Sequence, residues 1–182
     1  MEKYLPIEAK MMGREILLIP LNLHDRIHQA ALKERAWWVT EELAECMDAT
    51  LEGKDDKALE EMSDALHFLT ELLILSGVSA DNFNSTTSPE LKRAFDSGPP
   101  PGACGILGII VELGMAMWQL RNKSWKTTQV FTDVLNYQLK LYRTYRAFLD
   151  FLQTTWKLSL EDICVLYLRK SVVNQFRIRS GY

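Results

Sequence analysis

Apolar residues recur along most of the chain at spacings of three and four positions, the period of an amphipathic α-helix. This pattern predicts an all-α fold, and no strand pattern, internal repeat or low-complexity tract stands out. An N-terminal helix is predicted over residues 8–19, ended by Pro20, because proline breaks a helix. The other predicted helices run from near residue 23 to 51, from 57 to 76, from 105 to 120, from 127 to 154, and from 159 onwards.

Two stretches depart from this amphipathic pattern. Residues 78–104 are rich in Ser, Thr, Asn, Pro and Gly, which predicts a long loop containing one short helix from Pro89 to Phe95. The helix that begins at Gly105 is apolar nearly all round, so we expect it at the centre of the fold or in a dimer interface. The pattern as a whole describes a single all-α domain over residues 1–182, with a loop insertion at 78–104.

The last predicted helix has two chemically distinct faces. Its start at Ser159, with Asp162 three positions later, resembles a capping box. An amphipathic helix packs through its apolar side. The apolar face is formed by Val165, Leu168, Val172 and Phe176, and a separate polar stripe is formed by Tyr167, Lys170, Asn174 and Arg177.

Composition and charge narrow the class of protein. The 182 residues are 47% hydrophobic and 25% charged, values typical of soluble globular proteins. A net charge of −3 argues against a general nucleic-acid binder. The longest apolar stretch carries Glu112 and is shorter than the roughly 20 residues that span a membrane. Three widely spaced cysteines without a C-x-x-C pair indicate reduced core residues of a cytoplasmic protein: Cys46, Cys104 and Cys164.

The strongest candidate chemistry lies in two carboxylate pairs, Glu42 with Glu45 and Glu61 with Asp64. Each pair is three residues apart, so on a helix both members lie on one face. Like charges one helical turn apart cost roughly 0.2–0.5 kcal/mol per pair even when exposed. A hard cation such as Mg²⁺ turns that repulsion into binding energy, because it takes oxygen ligands.

The residues between the two carboxylate pairs predict that the pairs face each other across a helical hairpin. Gly53 suits the end of one helix, and Asp55 or Asp56 can cap the next. Two helices joined by so short a turn run antiparallel, which brings their carboxylates together. The alternative is that the acidic residues are a solvated helix face. A stripe at helical spacing supports that alternative: Glu41, Glu45, Asp48 and Glu52.

These motifs carry a resemblance to a known family. E-x-x-E followed by E-x-x-D on the next helix resembles the signature of the all-α NTP pyrophosphatases, which include MazG-type enzymes and dimeric dUTPases. The D-x-x-H-F run at residues 64–68 looks like the dimeric dUTPase branch. The C-terminal run YLRKSVVNQFRIRSGY is similar to a second motif of that branch, and the resemblance extends from about Arg35 to Tyr182.

The resemblance implies a Mg²⁺-dependent enzyme that hydrolyses dUTP to dUMP and pyrophosphate, with dCTP or dUDP as further substrates. It implies two or more Mg²⁺ ions per site, replaceable by Mn²⁺, and Glu45 as the residue that orients and deprotonates the attacking water. It also implies a homodimer that binds a dNTP as its substrate. Neither nucleic acid nor a membrane is an implied partner. The implied metal ligands are Glu42, Glu45, Glu61 and Asp64. The implied substrate-binding residues are His67, Tyr167, Lys170, Asn174, Arg177 and Tyr182.

The base preference is less well defined by these motifs. The family usually has Asn and Gln where this chain has Ser171 and Ile178, and its N-terminal helix usually carries a Gln and an Asn that read uracil. Trp37 and Trp38 either wall a base pocket or belong to the core or an interface. A chain of this kind ending in Gly-Tyr also resembles phage-encoded dCTPase/dUTPases. The nearby candidates for the missing uracil-reading pair are Asn22, His28 and Gln29.

Two alternatives to a dUTPase remain open from the sequence. The first is a MazG-like pyrophosphatase for another dNTP, either modified or purine. The second is a non-catalytic helical interaction module whose carboxylates are only a solvated face.

Overall fold

The computed structural model describes residues 9–12, 15–78, 93 and 105–180, with side chains described from residue 19 onwards except at position 178. The described part is an all-α domain, as the sequence pattern predicts, with one short β-hairpin at its N-terminal end. Its elements are β1 (Ala9–Met12), β2 (Glu15–Leu18), α1 (Arg26–Leu51), α2 (Asp55–Leu75), α3 (Gly105–Gln119), α4 (Val134–Thr155) and α5 (Leu160–Ser180).

The helix predicted over residues 8–19 is wrong. Strands β1 and β2 pair antiparallel there, with Ala9 opposite Leu18 and Met12 opposite Glu15. The apolar run that suggested a helix covers only residues 16–19. A run of that length fits a strand as well as a helix, and periodicity alone does not separate the two.

The turn between α1 and α2 is short. Gly53 adopts a left-handed conformation with φ of 71°, which a residue without a Cβ adopts freely. The Lys54 amide then donates to the Ala49 carbonyl. Lys54, not an aspartate, occupies the cap position of α2, so the predicted cap is wrong. Asp55 and Asp56 lie in the first turn instead, where negative charge favours the helix dipole.

The core lies between two helix pairs, since α1 packs mainly on α2 and α3 mainly on α4. The Tyr137 ring is fully buried, and its hydroxyl shares a hydrogen bond with Ser76. On α2, Met62, Leu66 and Leu69 are buried, whereas Leu59 is half-buried.

Helix α4 starts later than the predicted position 127. Asp133 caps it by accepting from the Asn136 amide. The preceding segment is held in an irregular conformation by Asn122, whose side chain donates to the Val130 carbonyl and accepts from the Val130 amide. Such side-chain bonds offer the backbone an alternative to helix, which moves the helix start towards the C-terminus.

Helix α5 confirms its predicted cap, and it packs through its polar stripe, not through its apolar face. The Ser159 hydroxyl accepts from the Asp162 amide, and the Asp162 carboxylate accepts from the Ser159 amide. The helix sits on α2 through part of its polar stripe. The apolar face is exposed at every one of its predicted positions: Val165 (41%), Leu168 (61%), Val172 (66%) and Phe176 (70%).

The cysteine prediction holds for one residue. Cys46 is buried and free, as expected, but free Cys164 is exposed and therefore not a core residue. Cys104, the short helix predicted at residues 89–95 and the terminal Gly181-Tyr182 pair lie outside the described residues, apart from Arg93. Across the described helices, none combines the length and apolar character needed to cross a membrane.

Candidate active site

One face of α1 meets one face of α2 along a contact of four levels, which we call the seam. On each helix the four residues are spaced by three, four and three positions, so they follow a single face. From the Gly53 turn outwards, the levels are Glu45 with Glu61, Glu42 with Asp64, Trp38 with Phe68, and Arg35 with Glu71.

The two levels nearest the turn bring the carboxylates together, as their spacing predicts. Glu42, Glu45 and Glu61 each offer an oxygen within 4.8 Å of the others, and Glu61 is only 9% exposed. Burial, and then the charges of Asp64, Glu45 and Glu61, raise the pKa of Glu42 to about 7. Burial and the same kind of repulsion raise the pKa of Glu61. An all-oxygen set under mutual repulsion fits a hard divalent cation.

Asp64 belongs to the same level as Glu42 but is held by a cation from another helix. Lys170 of α5 lies with its Nζ 2.8 Å from Asp64 Oδ2 and 3.0 Å from Glu60 Oε1. Burial acts to lower the pKa of Lys170, but the bonds to Asp64 and Glu60 outweigh it and raise that pKa. Glu60 is not among the predicted site residues, because an exposed glutamate off the seam gives no signal without the position of α5.

A pair of stacked aromatic rings forms a second contact between α2 and α5. The His67 and Tyr167 rings stack with centroids 4.1 Å apart and planes 5° from parallel. His67 Nδ1 bonds the Ser63 carbonyl, whereas its Nε2 is buried without a hydrogen-bond partner among the residues described. Burial lowers the pKa of His67, so a neutral imidazole with one free nitrogen lies beside the carboxylates.

The far end of the seam is compensated. Arg35 is 5% exposed, and its Nη1 lies 3.2 Å from Glu71 Oε2. The guanidinium lies over the Trp38 ring at 3.9 Å, and Trp38 meets Phe68 edge-on at 5.4 Å. Trp38 is thus a half-buried seam residue, whereas neighbouring Trp37 is 61% exposed and donates from its indole to Glu41.

The structure brings only some of the other predicted substrate-binding residues close to the carboxylates. Asn174 is half-buried on α5, and Arg177 is exposed, close enough for its charge to lower the pKa of Glu60 after the larger effect of Lys170. Tyr182 lies outside the described residues. Gln29 is fully buried and engaged by Leu23, Thr132 and Asn122, so it is not free to read a base.

The other two candidate base readers are also engaged near the start of α1. The Asn22 side chain accepts from the His24 amide, and His28 Nδ1 accepts from the Asn22 amide. Thirteen residues separate Gln29 from Glu42, which is about 20 Å along a helix. Each of the three candidates thus makes hydrogen bonds within the protein, and their role in reading a base stays a prediction.

A helical domain that gathers carboxylates on one hairpin, faced by a lysine from its last helix, has the components used to hold polyphosphates through divalent cations. A family model described as dUTPase matches residues 22–182. The chain belongs to this all-α dUTPase family and is therefore a nucleotide pyrophosphatase, a hydrolase. No curated protein matches the chain, and no solved structure does.

Proposed function

We propose that the protein is a cytoplasmic, Mg²⁺-dependent deoxynucleoside triphosphate diphosphatase that hydrolyses dUTP to dUMP and pyrophosphate. The observation that carries the proposal is the grouping of three carboxylate oxygens within 4.8 Å beside the Lys170–Asp64 pair. Membership of the dUTPase family supports dUTP as the substrate class. dCTP and dUDP are the further candidate substrates of the same site.

The carboxylates have separable roles in this proposal. Glu42, Glu45, Glu61 and Asp64 hold the divalent ions, which when bound neutralise and polarise the phosphate oxygens. Glu45 is exposed, so it can accept a proton from a water that attacks the phosphorus. The bond that forms joins that water oxygen to the α-phosphorus, and the bond that breaks releases pyrophosphate.

The cations on α5 suit the triphosphate. Lys170 and Arg177 are seven residues apart, so they project from one helix face two turns apart. With Asn174 between them they grip the phosphate chain through charge-assisted hydrogen bonds. Tyr182 contributes a further phosphate contact, and His67, on which Tyr167 stacks, contacts the sugar or the base.

The test is a turnover screen of all dNTPs and dUDP with Mg²⁺, with Mn²⁺ and with a chelator. We expect pyrophosphate release from dUTP that stops on chelation and returns with either metal. Faster hydrolysis of dGTP or dATP would favour the MazG-like alternative. No turnover of any dNTP, together with no Mg²⁺ binding by calorimetry, would favour the non-catalytic module.

We further propose a homodimer formed through α3. Its inward residues Ile109 and Leu113 are buried, but a second apolar stripe faces outward: Leu107 (71%), Val111 (50%), Met115 (41%) and Trp118 (61%). A continuous exposed stripe of this kind usually marks an interface.

Light scattering of Val111→Arg should show a monomer where the wild type is a dimer. Leu51→Arg, a change at an 81% exposed residue off this stripe, is the control. A monomeric wild type at micromolar concentration would contradict the dimer.

A further inference from the structure

Lys170 lies between two carboxylates of α2, and only one of them belongs to the proposed metal site. The Lys170 Nζ lies 2.8 Å from Asp64 Oδ2 and 3.0 Å from Glu60 Oε1, and the lysine side chain is only 9% exposed. Glu60 and Asp64 are four positions apart, so they are neighbours on one face of α2. The lysine of α5 therefore takes one partner from each of two successive turns of α2.

The two partners of Lys170 differ in their position around α2. At 3.6 residues per turn, Asp64 lies about 60° from Glu61 around the helix axis, and Glu60 lies about 100° from Glu61 on the same side. Asp64 thus borders both the carboxylate group and the lysine. Glu60 lies further towards α5, and its side chain is 59% exposed. Glu60 is therefore placed to serve the lysine, whereas Asp64 is placed to serve the lysine or a metal ion.

The bond between Lys170 and Asp64 competes with a metal ion for the same carboxylate. Asp64 is one of the proposed ligands of the divalent ions, and its Oδ2 is bonded to Lys170. Two positive charges beside one carboxylate repel each other, so a divalent ion that takes Asp64 weakens its hold on the lysine. A buried ammonium that loses its counter-charge is costly. Among the residues that contact this lysine, Glu60 is the carboxylate that stays with it.

We propose that Glu60 is a positioning residue for Lys170. It holds the ammonium at the edge of the carboxylate group while a divalent ion engages Asp64, and the lysine then donates to the triphosphate. A lysine ammonium has three N–H donors, so one bond to Glu60 leaves the others for phosphate oxygens. The inference rests on the proposed function, because it concerns the same site. Glu60 acts on the substrate only through Lys170.

The competing explanation is that the ion pair of Glu60 and Lys170 only ties α5 to α2. An ion pair with an exposed partner contributes roughly 0–1 kcal/mol to stability, which makes it a weak tie. A structural tie affects every ligand alike, because it acts through the packing of α5. A positioning role changes the affinity for a triphosphate relative to a monophosphate, and it depends on the presence of the lysine.

Calorimetric binding of dUMP and of α,β-imido dUTP, which is not hydrolysed, tests the proposal with Mg²⁺ and without turnover. We expect Glu60→Gln to weaken binding of the analogue about fivefold, or about 1 kcal/mol, while the affinity for dUMP changes less. The amide keeps the size of the side chain and loses the charge that holds the ammonium. Asp56→Asn removes the same charge from an exposed position one turn away on α2, so it should leave both affinities unchanged.

The same substitution in a Lys170→Ala background is the second measurement. There, Glu60→Gln should have no further effect on binding of the analogue, because no lysine remains to be positioned. Equal losses for the analogue and dUMP, no loss for either, or an undiminished effect in the Lys170→Ala background would each overturn the positioning role. Failure of the proposed function looks different, since wild type would then show neither metal-dependent binding of the analogue nor turnover, and the positioning role would fail with it.

Discussion

The two ends of the seam have the same helix geometry and opposite electrostatics. Near the Gly53 turn, Glu42, Glu45 and Glu61 repel one another, and burial holds the pKa of Glu42 at about 7. Two turns away, Arg35 and Glu71 attract each other, and burial of the arginine is compensated. The same spacing of three, four and three positions therefore stores unfavourable energy at one end and holds the helices together at the other. The unsatisfied end is the one available to a ligand.

The largest effect should come from removing a charge at the repulsive end. We expect Glu42→Gln, Glu45→Gln, Glu61→Gln or Asp64→Asn to reduce turnover about a thousandfold, or about 4 kcal/mol in barrier height. Thermal stability without metal should stay equal or rise in the three glutamate variants, because repulsion is relieved. It should fall in Asp64→Asn, because buried Lys170 loses one of its two carboxylate partners. Steady-state kinetics with saturating Mg²⁺ and thermal melts measure both. Glu41→Gln, exposed and off the seam, is the control, and near-normal activity in any two of the four variants contradicts the metal site.

The next largest effect concerns Lys170, the cation that faces the repulsive end. We expect Lys170→Ala and Arg177→Ala to weaken binding of a non-hydrolysable triphosphate at least tenfold, about 1.4 kcal/mol, while dUMP inhibition changes less. The charge-assisted bonds to the outer phosphates are lost, whereas the sugar and base contacts remain. Arg169→Ala, an exposed neighbour of Lys170, is the matched control. Equal losses for triphosphate and monophosphate would remove both residues from phosphate binding.

At the compensated end, removing one charge should lower stability. We expect Arg35→Met to cost about 1–2 kcal/mol in the free energy of unfolding, since Glu71 then stays partly buried without its partner. The value is below that of a fully buried pair because the Glu71 side chain is 35% exposed. Adding Glu71→Met should recover most of the loss in urea titrations. If the double variant is no more stable than Arg35→Met, the ion pair does not account for the loss.

The smallest effect is a pH dependence. Glu42 has a pKa of about 7 in the folded metal-free protein, above its ordinary value of 4.5. The unfolded chain loses this proton at lower pH, so the folded state loses stability as pH rises from about 4.5 through 7. We expect the Tm of metal-free protein to fall by a few degrees across that window, and to fall less in Glu42→Gln. Melts in chelator across this pH range measure it, and parallel falls would show that Glu42 is not the titrating group.

Local sequence signals predicted the seam's carboxylate end well. The spacing of Glu42, Glu45, Glu61 and Asp64 and the glycine between the pairs describe a helical hairpin without tertiary information. The orientation of α5 could not be predicted in this way, because amphipathicity favours burying Leu168 and Phe176, whereas an ion pair formed with Asp64 places Lys170 inward. The late start of α4 could not be predicted either. It depends on the hydrogen bonds between Asn122 and Val130, which only the folded structure shows.

The sequence also carries a signal for the far end of the seam. Arg35 lies seven residues before Glu42, and Glu71 lies seven residues after Asp64. Two antiparallel helices that contact each other at the carboxylates also contact each other seven residues further along each helix. The mirrored spacing therefore predicts the Arg35–Glu71 contact once the antiparallel hairpin is accepted.

The short Gly53 turn also sets an order of assembly. Helices α1 and α2 are neighbours in the chain, so their contacts have low sequence separation and close with little loss of loop entropy. The contact from Lys170 to Glu60 spans 110 residues and must wait for the rest of the chain. On a ribosome or during refolding, the acidic hairpin can thus form well before its lysine arrives. In that interval the hairpin's own nearby counter-charge is Lys57, 3.9 Å from Glu61, and protons and cations from solution supply the rest. Ionic conditions should therefore influence how fast the nascent hairpin becomes compact.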